Sequence, residues 1–218
     1  RQRFVADGRR DRRRMSATKT SVVQAAVAFL LLCLLSVHGL LGLGATVACV
    51  LAFPPVRWGG AQLRSVLVSY AVWLLVWAAF AVGYLRLMSA LGRPVEPQAQ
   101  LLELVEHGVD TPGFYLQILL IVAIGPVIEE VVFRGYLFTA LQRAAPKWVT
   151  HAVVASVFGL VHGVDHAVPI GVLSVLFGYL RERHDGLLPS VLAHALHNGA
   201  TITVFVLCPD LFDLFYAR

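Results

Sequence analysis

Long apolar runs separated by short polar segments dominate this 218-residue chain. A transmembrane helix needs about 20 consecutive, mostly apolar residues. The first run, residues 21–53, has no charged side chain and is too long for one span, so we predict a hairpin of two short spans that turns at the glycine-rich residues 38–44. Further spans are predicted at residues 65–85, 113–141, 148–164, 168–180 and 187–207. The pattern therefore predicts an all-α, polytopic transmembrane helical bundle of about seven spans.

Polar positions divide the chain into segments. Residues 89–112 form the one long polar stretch, and the spacing of its leucines predicts a short amphipathic helix on the membrane surface. The sequence contains no internal repeat. We expect four segments: a basic tail at residues 1–20, N-terminal spans with the start of the polar loop at 21–98, the segment that carries the chemistry at 99–207, and a short C-terminal tail at 208–218.

Composition supports a membrane protein. Hydrophobic residues make up 58% of the chain, charged residues make up 14%, and the mean hydropathy is +0.73. A soluble domain is typically about 45–50% apolar and about 25% charged, so a disordered chain, a nucleic-acid-binding domain and a typical cytosolic enzyme are excluded. The net charge of +5 comes from seven Arg and two Asp within residues 1–14, ahead of Met15. We interpret this tail as a cytoplasmic flank or an upstream extension.

Lys and Arg are unevenly distributed among the predicted loops. With the N-terminus in the cytoplasm and seven spans, the cytoplasmic segments after residue 15 carry seven Lys and Arg side chains, and the outer segments carry three. Positive residues are enriched on the cytoplasmic side of membrane proteins. This bias favours that orientation, and we expect the protein in a bacterial cytoplasmic (inner) membrane.

The predicted fourth span contains three charged side chains, which are costly inside a bilayer and therefore candidates for function. Glu130 and Arg134 lie at i, i+4 on one helix face and can pair, whereas Glu129 points about 100° away. Glu129 can then face a cavity, where a carboxylate in a low dielectric suits general-base chemistry. Gly125 and Pro126 precede the carboxylates, and we expect the proline to kink the helix and open space beside Glu129.

Two later spans add polar side chains. Phe158 lies four residues before His162, and His194 shares a helix face with Asn198 at i, i+4. A carboxylate and an imidazole acting on one water molecule make a hydrolytic pair. A second imidazole and an amide can donate to a developing oxyanion. Three separate spans thus supply a set of side chains suited to hydrolysis.

The residue types leave a metal site open as an alternative. Glu129, His162 and His194 could hold Zn²⁺ with one open position, although the chain lacks an HExxH motif. We expect the additional histidines, His166 and His197, to serve as hydrogen-bond partners. The predicted span limits place Glu129 and His194 nearer the cytoplasmic side and His162 nearer the outer side, a mismatch of about 10 Å. Either these limits are off by several residues, or helix tilt and the Pro126 kink correct the mismatch.

Taken in order, the three motifs resemble those of a known family. Glu129-Glu130-x-x-x-Arg134, Phe158-x-x-x-His162 and His194-x-x-x-Asn198 are similar in order and spacing to the motifs of the CPBP family, also called the Abi family. This family includes type II CAAX prenyl endopeptidases and bacteriocin-processing enzymes. The resemblance extends over about residues 99–207.

The resemblance implies an intramembrane endopeptidase whose site lies inside a helical bundle. In this interpretation, the groups that act on the substrate are Glu129 and His162, which activate water, and His194 and Asn198, which form an oxyanion site. The supporting residues are Glu130, Arg134 and Phe158. The family is often described as metalloproteases, but we expect a glutamate-type mechanism that requires no metal, with zinc as the alternative. The implied partners are the lipid bilayer and a membrane-associated, CAAX-like or lipid-proximal protein or peptide, with no nucleic acid.

Two other functions are compatible with the same side chains. A non-catalytic immunity or binding protein could keep them as a structural network. A proton-coupled transporter could use them as a proton relay. The chain lacks the repeated halves that many transporters have, which disfavours the second alternative.

Overall fold

The computed structural model describes residues 23–24, 26–28, 30–31, 39–52, 57–106, 109 and 111–216. Gly39, Gly42 and Gly44 lie inside a helix, so the predicted hairpin turn at residues 38–44 is wrong for the part that is described. The first half of that hairpin, including residues 32–38, lies largely outside the described residues.

The described residues form helices and no β-strand. These helices are α1 Gly39–Ala52, α2 Leu63–Ala90, α3 Ala99–Glu106, α4 Pro112–Gln142, α5 Lys147–Val161, α6 Val164–Arg183, α7 Leu188–Leu207 and α8 Pro209–Tyr216. Within the described ranges, α2, α4, α6 and α7 are long and apolar enough to cross a membrane, whereas α5 is a shorter apolar helix. The all-α membrane fold is confirmed, but the count of seven spans is not.

The outer face of α2 is typical of a helix in contact with lipid. Large apolar side chains are exposed along it, including Val68, Val72, Leu75 and Val76. Contiguous exposed apolar surface of this kind marks a membrane or partner contact. The protein is therefore an integral membrane protein.

The described residues form two compact units. The first contains those up to residue 57 together with 128–154, and the second contains 58–127 and those from 155 onward. In the first unit, the Tyr136 hydroxyl donates to the Cys49 carbonyl of α1 at 2.9 Å. Phe138 packs edge-on against His151, with ring centroids 5.0 Å apart. These contacts join α1 and the start of α5 to the second half of α4.

In the second unit, α2 runs antiparallel to α6, and polar contacts fix their register. The indole of Trp77 donates to the Pro169 carbonyl at 2.8 Å, near the middle of α2. The Tyr84 hydroxyl donates to the Asp165 carbonyl at 3.0 Å, near the C-terminal end of α2. At the other end, Ser65 lies 3.4 Å from the His184 ring. Contacts spread over the length of α2 limit any sliding of α6 along it.

The helix predicted in the polar stretch is present as α3, and its apolar side packs against protein, whereas its place on the membrane surface stays a prediction. Leu101 and Leu104 are buried and cluster with Phe114 of α4 and Ile202 of α7. Burying a leucine side chain contributes about 1.5–3 kcal/mol. The polar stretch is thereby anchored to the second unit.

Glycines allow two close backbone approaches in the second unit. A Cβ at Gly159 of α5 would overlap the Ala167 carbonyl of α6, so only glycine fits there. Gly59, just before α2, lies against Gly186 in the turn between α6 and α7. Beside this contact, the Leu188 amide donates to the Trp58 carbonyl at 2.9 Å.

Candidate active site

The carboxylates predicted to be functional lie in a helix with an unusual backbone. Within α4, Leu120–Ile124 and Val131–Leu137 are π-helical, and the short α-helical segment Gly125–Glu130 lies between them. π-helix makes up well under ~1% of residues in globular proteins and is frequent at functional sites. Glu129 and Glu130 are the last two residues of this central segment, which has a π-helical stretch on either side.

Glu130 forms the predicted ion pair with Arg134. Its Oε1 accepts a hydrogen bond from Arg134 Nη1 at 3.1 Å, and both side chains are fully buried. Glu129 interacts electrostatically with the same guanidinium, more weakly than Glu130 does. Unlike Glu130, Glu129 is only partly buried. The adjacent carboxylates therefore differ in their environments, since one is fully buried with a cation and the other is only partly buried.

Pro126 interrupts the hydrogen bonding of α4, as the sequence indicated. The Gly125 amide donates to the Leu120 carbonyl, which is an i→i−5 bond, and proline has no N–H with which to continue that register to Ile121. The Ile121 carbonyl instead accepts a hydrogen bond from Asn198 Nδ2 of α7 at 2.9 Å. Asn198, predicted for the oxyanion site, is thus also bound to the backbone at the proline break.

His162 lies at the C-terminal end of α5, where Gly163, with φ of 100°, ends the helix. Its Nδ1 is 2.6 Å from the Phe158 carbonyl, and because a carbonyl only accepts, Nδ1 carries the proton. In the neutral ring, Nε2 is therefore the nitrogen with a lone pair, available as a hydrogen-bond acceptor or base.

Phe158 brings the two predicted histidines of the second unit together. The centroid of its ring lies 4.6 Å from that of His162 and 5.8 Å from that of His194. His194 also stacks on Phe177 of α6, with centroids 4.6 Å apart and planes at 17°. The predicted depth separation of about 10 Å between these histidines is therefore wrong.

His197 points to a different neighbour. Its ring packs edge-on against Trp77 and Tyr70 of α2, with centroids 4.5 and 6.3 Å away. Its Nδ1 is buried and has no hydrogen-bond partner among the described residues. The prediction of a hydrogen-bonding role for His197 is therefore not met at Nδ1. His166, in contrast, hydrogen-bonds to the backbone of Glu96 in the polar stretch.

Sequence reasoning missed Phe177, which forms the stacking surface for His194. It lies in a continuous apolar stretch of α6 and is fully buried, like many residues without a role. A local pattern does not distinguish it, because its importance depends on a side chain from another helix.

The predicted side chains thus appear as two sets. Glu129, Glu130 and Arg134 belong to the first unit, while His162, His194 and Asn198 belong to the second. The hydrogen bonds and ring contacts described above each lie within one of the two units. That Glu129 and His162 act on the same water molecule stays a prediction.

The zinc alternative requires three protein ligands around one ion. The second unit supplies two of the predicted ligands, His162 and His194, while Glu129 belongs to the first. Across the part of the chain that the structure describes, no three His, Cys, Asp or Glu side chains are grouped as a metal site would need. Zinc bound by Glu129, His162 and His194 stays the alternative prediction.

Comparison with known proteins identifies the central part of the chain. Residues 111–200 match the family model for Type II CAAX prenyl endopeptidase Rce1-like proteins. This range contains all three motifs, from Glu129 to Asn198. Comparisons with curated proteins and with solved structures gave no match. Over residues 111–200, which are less than half of the chain, this protein is thus similar to the Type II CAAX prenyl endopeptidase Rce1-like family.

Proposed function

We propose that this protein hydrolyses a peptide bond in a membrane-associated protein or peptide, CAAX-like or lipid-proximal, by a glutamate-type mechanism. The observation that carries the proposal is the pair of imidazoles packed on Phe158, one of which has its tautomer set by the Phe158 carbonyl. A base or acceptor nitrogen held in one orientation is what activation of a water molecule needs. The similarity of residues 111–200 to a CAAX protease family supports the same reaction class.

In the proposed reaction, the Glu129 carboxylate removes a proton from a water molecule that His162 Nε2 orients. The resulting hydroxide adds to the carbonyl carbon of the substrate. His194 and Asn198 donate hydrogen bonds to the oxyanion that forms. The tetrahedral intermediate then collapses, the C–N bond breaks, and the proton held by Glu129 passes to the leaving amine.

Glu130 is unsuited to be the base in this proposal. Its carboxylate is fully buried and bound to Arg134, so taking up a proton would weaken a charge-assisted hydrogen bond in a dry environment. Glu130 and Arg134 instead support the helix that carries Glu129.

The proposal requires no metal ion. Elemental analysis of active protein provides the test. Turnover by protein with far less than one equivalent of zinc supports the glutamate-type mechanism, and turnover proportional to zinc content contradicts it.

The location proposed for the protein is a bacterial cytoplasmic membrane, with the N-terminus in the cytoplasm. This orientation places the Lys-rich and Arg-rich loops on the cytoplasmic side. The lipid bilayer and its associated proteins then supply the substrates.

Glu129→Gln tests the reaction. The parent protein in liposomes should release the C-terminal tripeptide from a farnesylated CAAX peptide, measured by mass spectrometry. Loss of the base should lower kcat by about 10²–10⁴-fold or more. Glu103→Gln, the same change on the exposed side of α3, is the matched control and should keep full activity. Equal rates for Glu129→Gln and the parent would contradict the assignment.

The natural substrate can be sought without assuming a prenyl group. Protein termini in cells that contain the parent are compared with those in cells that contain Glu129→Gln. Termini that appear only with the parent identify substrates and the bond that is cut.

A further inference from the structure

We propose that Asn198 is a positioning residue, whose amide replaces the backbone hydrogen bond that Pro126 removes from α4 and so holds the turn that carries Glu129. The catalytic consequence rests on the proposed function, whereas the structural latch does not. The latch is defined as the hydrogen bond from Asn198 Nδ2 to the Ile121 carbonyl.

The register of α4 shows why the Ile121 carbonyl needs this donor. In an α-helical register, Gly125 would donate to it, but the Gly125 amide is bound to the Leu120 carbonyl. In the π register that this bond establishes, residue 126 would donate to it, but residue 126 is proline. Neither residue supplies a donor, and a carbonyl at the packed face of a membrane helix is costly to leave unbonded.

The packing of α7 on this stretch suits an amide of this length. Asn198 Nδ2 lies 2.9 Å from the Ile121 oxygen, which is an ordinary hydrogen-bond distance. The next residue is Gly199, and even a Cβ built there would only come into ordinary contact with Val122, at 3.6 Å. No bulky side chain therefore separates α7 from the π stretch at this point.

An amide group also allows two functions at once. Its nitrogen carries two N–H donors, and the latch uses one of them. The second can donate to the oxyanion of the proposed reaction. Aspartate has the same shape but no donor when ionised, so it would set a carboxylate against the carbonyl and lose both functions.

The latch acts on Glu129 through the backbone. Glu129 lies three residues after Pro126 in the same α-helical segment, Gly125–Glu130. When the latch is lost, the backbone on either side of the proline is held less firmly, and the carboxylate takes a wider range of positions. Because a small misplacement of a catalytic group lowers the rate of the chemical step, kcat should fall more than KM changes.

A four-protein comparison tests the latch: the parent, Asn198→Ala, Pro126→Ala and the double variant. Alanine at 126 supplies the missing N–H, so it makes the latch unnecessary. We expect Asn198→Ala to lower kcat by about 10-fold or more, since one buried acceptor loses its donor. The double variant should recover a large part of this loss, and the remaining deficit is the share of Asn198 at the oxyanion. A double variant no better than Asn198→Ala would overturn the proposal.

Hydrogen exchange measured by mass spectrometry tests the latch without catalysis. Amides in residues 122–130 should exchange faster in Asn198→Ala and return to the parent rate in the double variant. Unchanged exchange in Asn198→Ala overturns the latch even if turnover is lost. If the parent cleaves no peptide, the proposed function fails while the exchange result still decides the latch. If Asn198→Ala does not fold, recovery of folded protein by adding Pro126→Ala supports the latch, and no recovery overturns it.

Discussion

Removing one partner of the buried Glu130–Arg134 pair should destabilise the protein strongly. Glu130→Gln keeps the size and shape of the side chain and removes its charge. Arg134 then stays inside the first unit with its main counter-charge gone, since both side chains are fully buried. Glu129, whose electrostatic effect on Arg134 is weaker, compensates only in part.

The magnitude follows from the burial of both groups. Breaking a buried ion pair by removing one partner costs about 3–5 kcal/mol, because a charge is left uncompensated away from water. In a chain of this length each kcal/mol shifts Tm by about 2–4 °C, so a decrease of roughly 10 °C is expected. Replacing both residues, as Glu130→Gln with Arg134→Met, removes both charges and should bring stability back towards that of the parent.

Thermal unfolding in detergent micelles, followed by circular dichroism, measures this effect. Glu129→Gln serves as the comparison for an adjacent, partly buried carboxylate, and Glu103→Gln serves for an exposed one. Both should unfold close to the parent. A decrease in Tm of less than about 2 °C for Glu130→Gln, or additive losses in the double variant, would refute the argument that the pair is a buried and coupled unit.

Three further predictions follow from particular contacts. Gly159→Ala should lower the free energy of unfolding by about 1–3 kcal/mol, because the added Cβ would overlap the Ala167 carbonyl. Gly83→Ala is the control and should be neutral or slightly stabilising, since its Cβ would meet no described atom within 4 Å. Equal effects of the two substitutions would contradict this packing. His197→Phe should keep activity and stability, since the His197 ring packs on Trp77 and its Nδ1 has no hydrogen-bond partner within the described ranges. His194→Phe, in contrast, should abolish turnover. Loss of activity in both variants would show that His197 has a role that its contacts do not indicate. With a cytoplasmic N-terminus and seven spans, Cys208, exposed just after α7, should react with a membrane-impermeant maleimide from the outer side in intact cells, with Cys208→Ser as the control. Labelling only after permeabilisation would contradict this combination of orientation and span count.

Local pattern was enough to predict much of the helical structure. The apolar runs at residues 113–141 and 187–207 correspond closely to α4 and α7, and the i, i+4 spacing of Glu130 and Arg134 correctly indicated their ion pair. These features depend on residues close together in the chain, which helical periodicity determines.

Features set by distant residues were not predictable in the same way. The sequence indicated that Pro126 breaks α4, but the side chain that satisfies Ile121 comes from 77 positions further along the chain. The spacing of Gly159 and Gly163 is typical of a small-residue packing step between helices. A Cβ at Gly163, however, would meet no described atom within 4 Å, and the positive φ of Gly163 instead ends α5. The residue at which a helix ends depends on how the following helix packs, and hydrophobic periodicity within one helix does not predict that packing.

The contact between Gly59 and Gly186 has a practical consequence for labelling this protein. Two backbones touch there without side chains between them, so a probe, tag or loop insertion at either position would push apart the entry to α2 and the turn before α7. Gly92, whose Cβ would meet no described atom within 4 Å, offers an exposed alternative between α2 and α3, provided that its replacement tolerates a φ of 73°. Spectroscopic reporters are therefore better attached beside Gly92 than at Gly186, in the turn between α6 and α7.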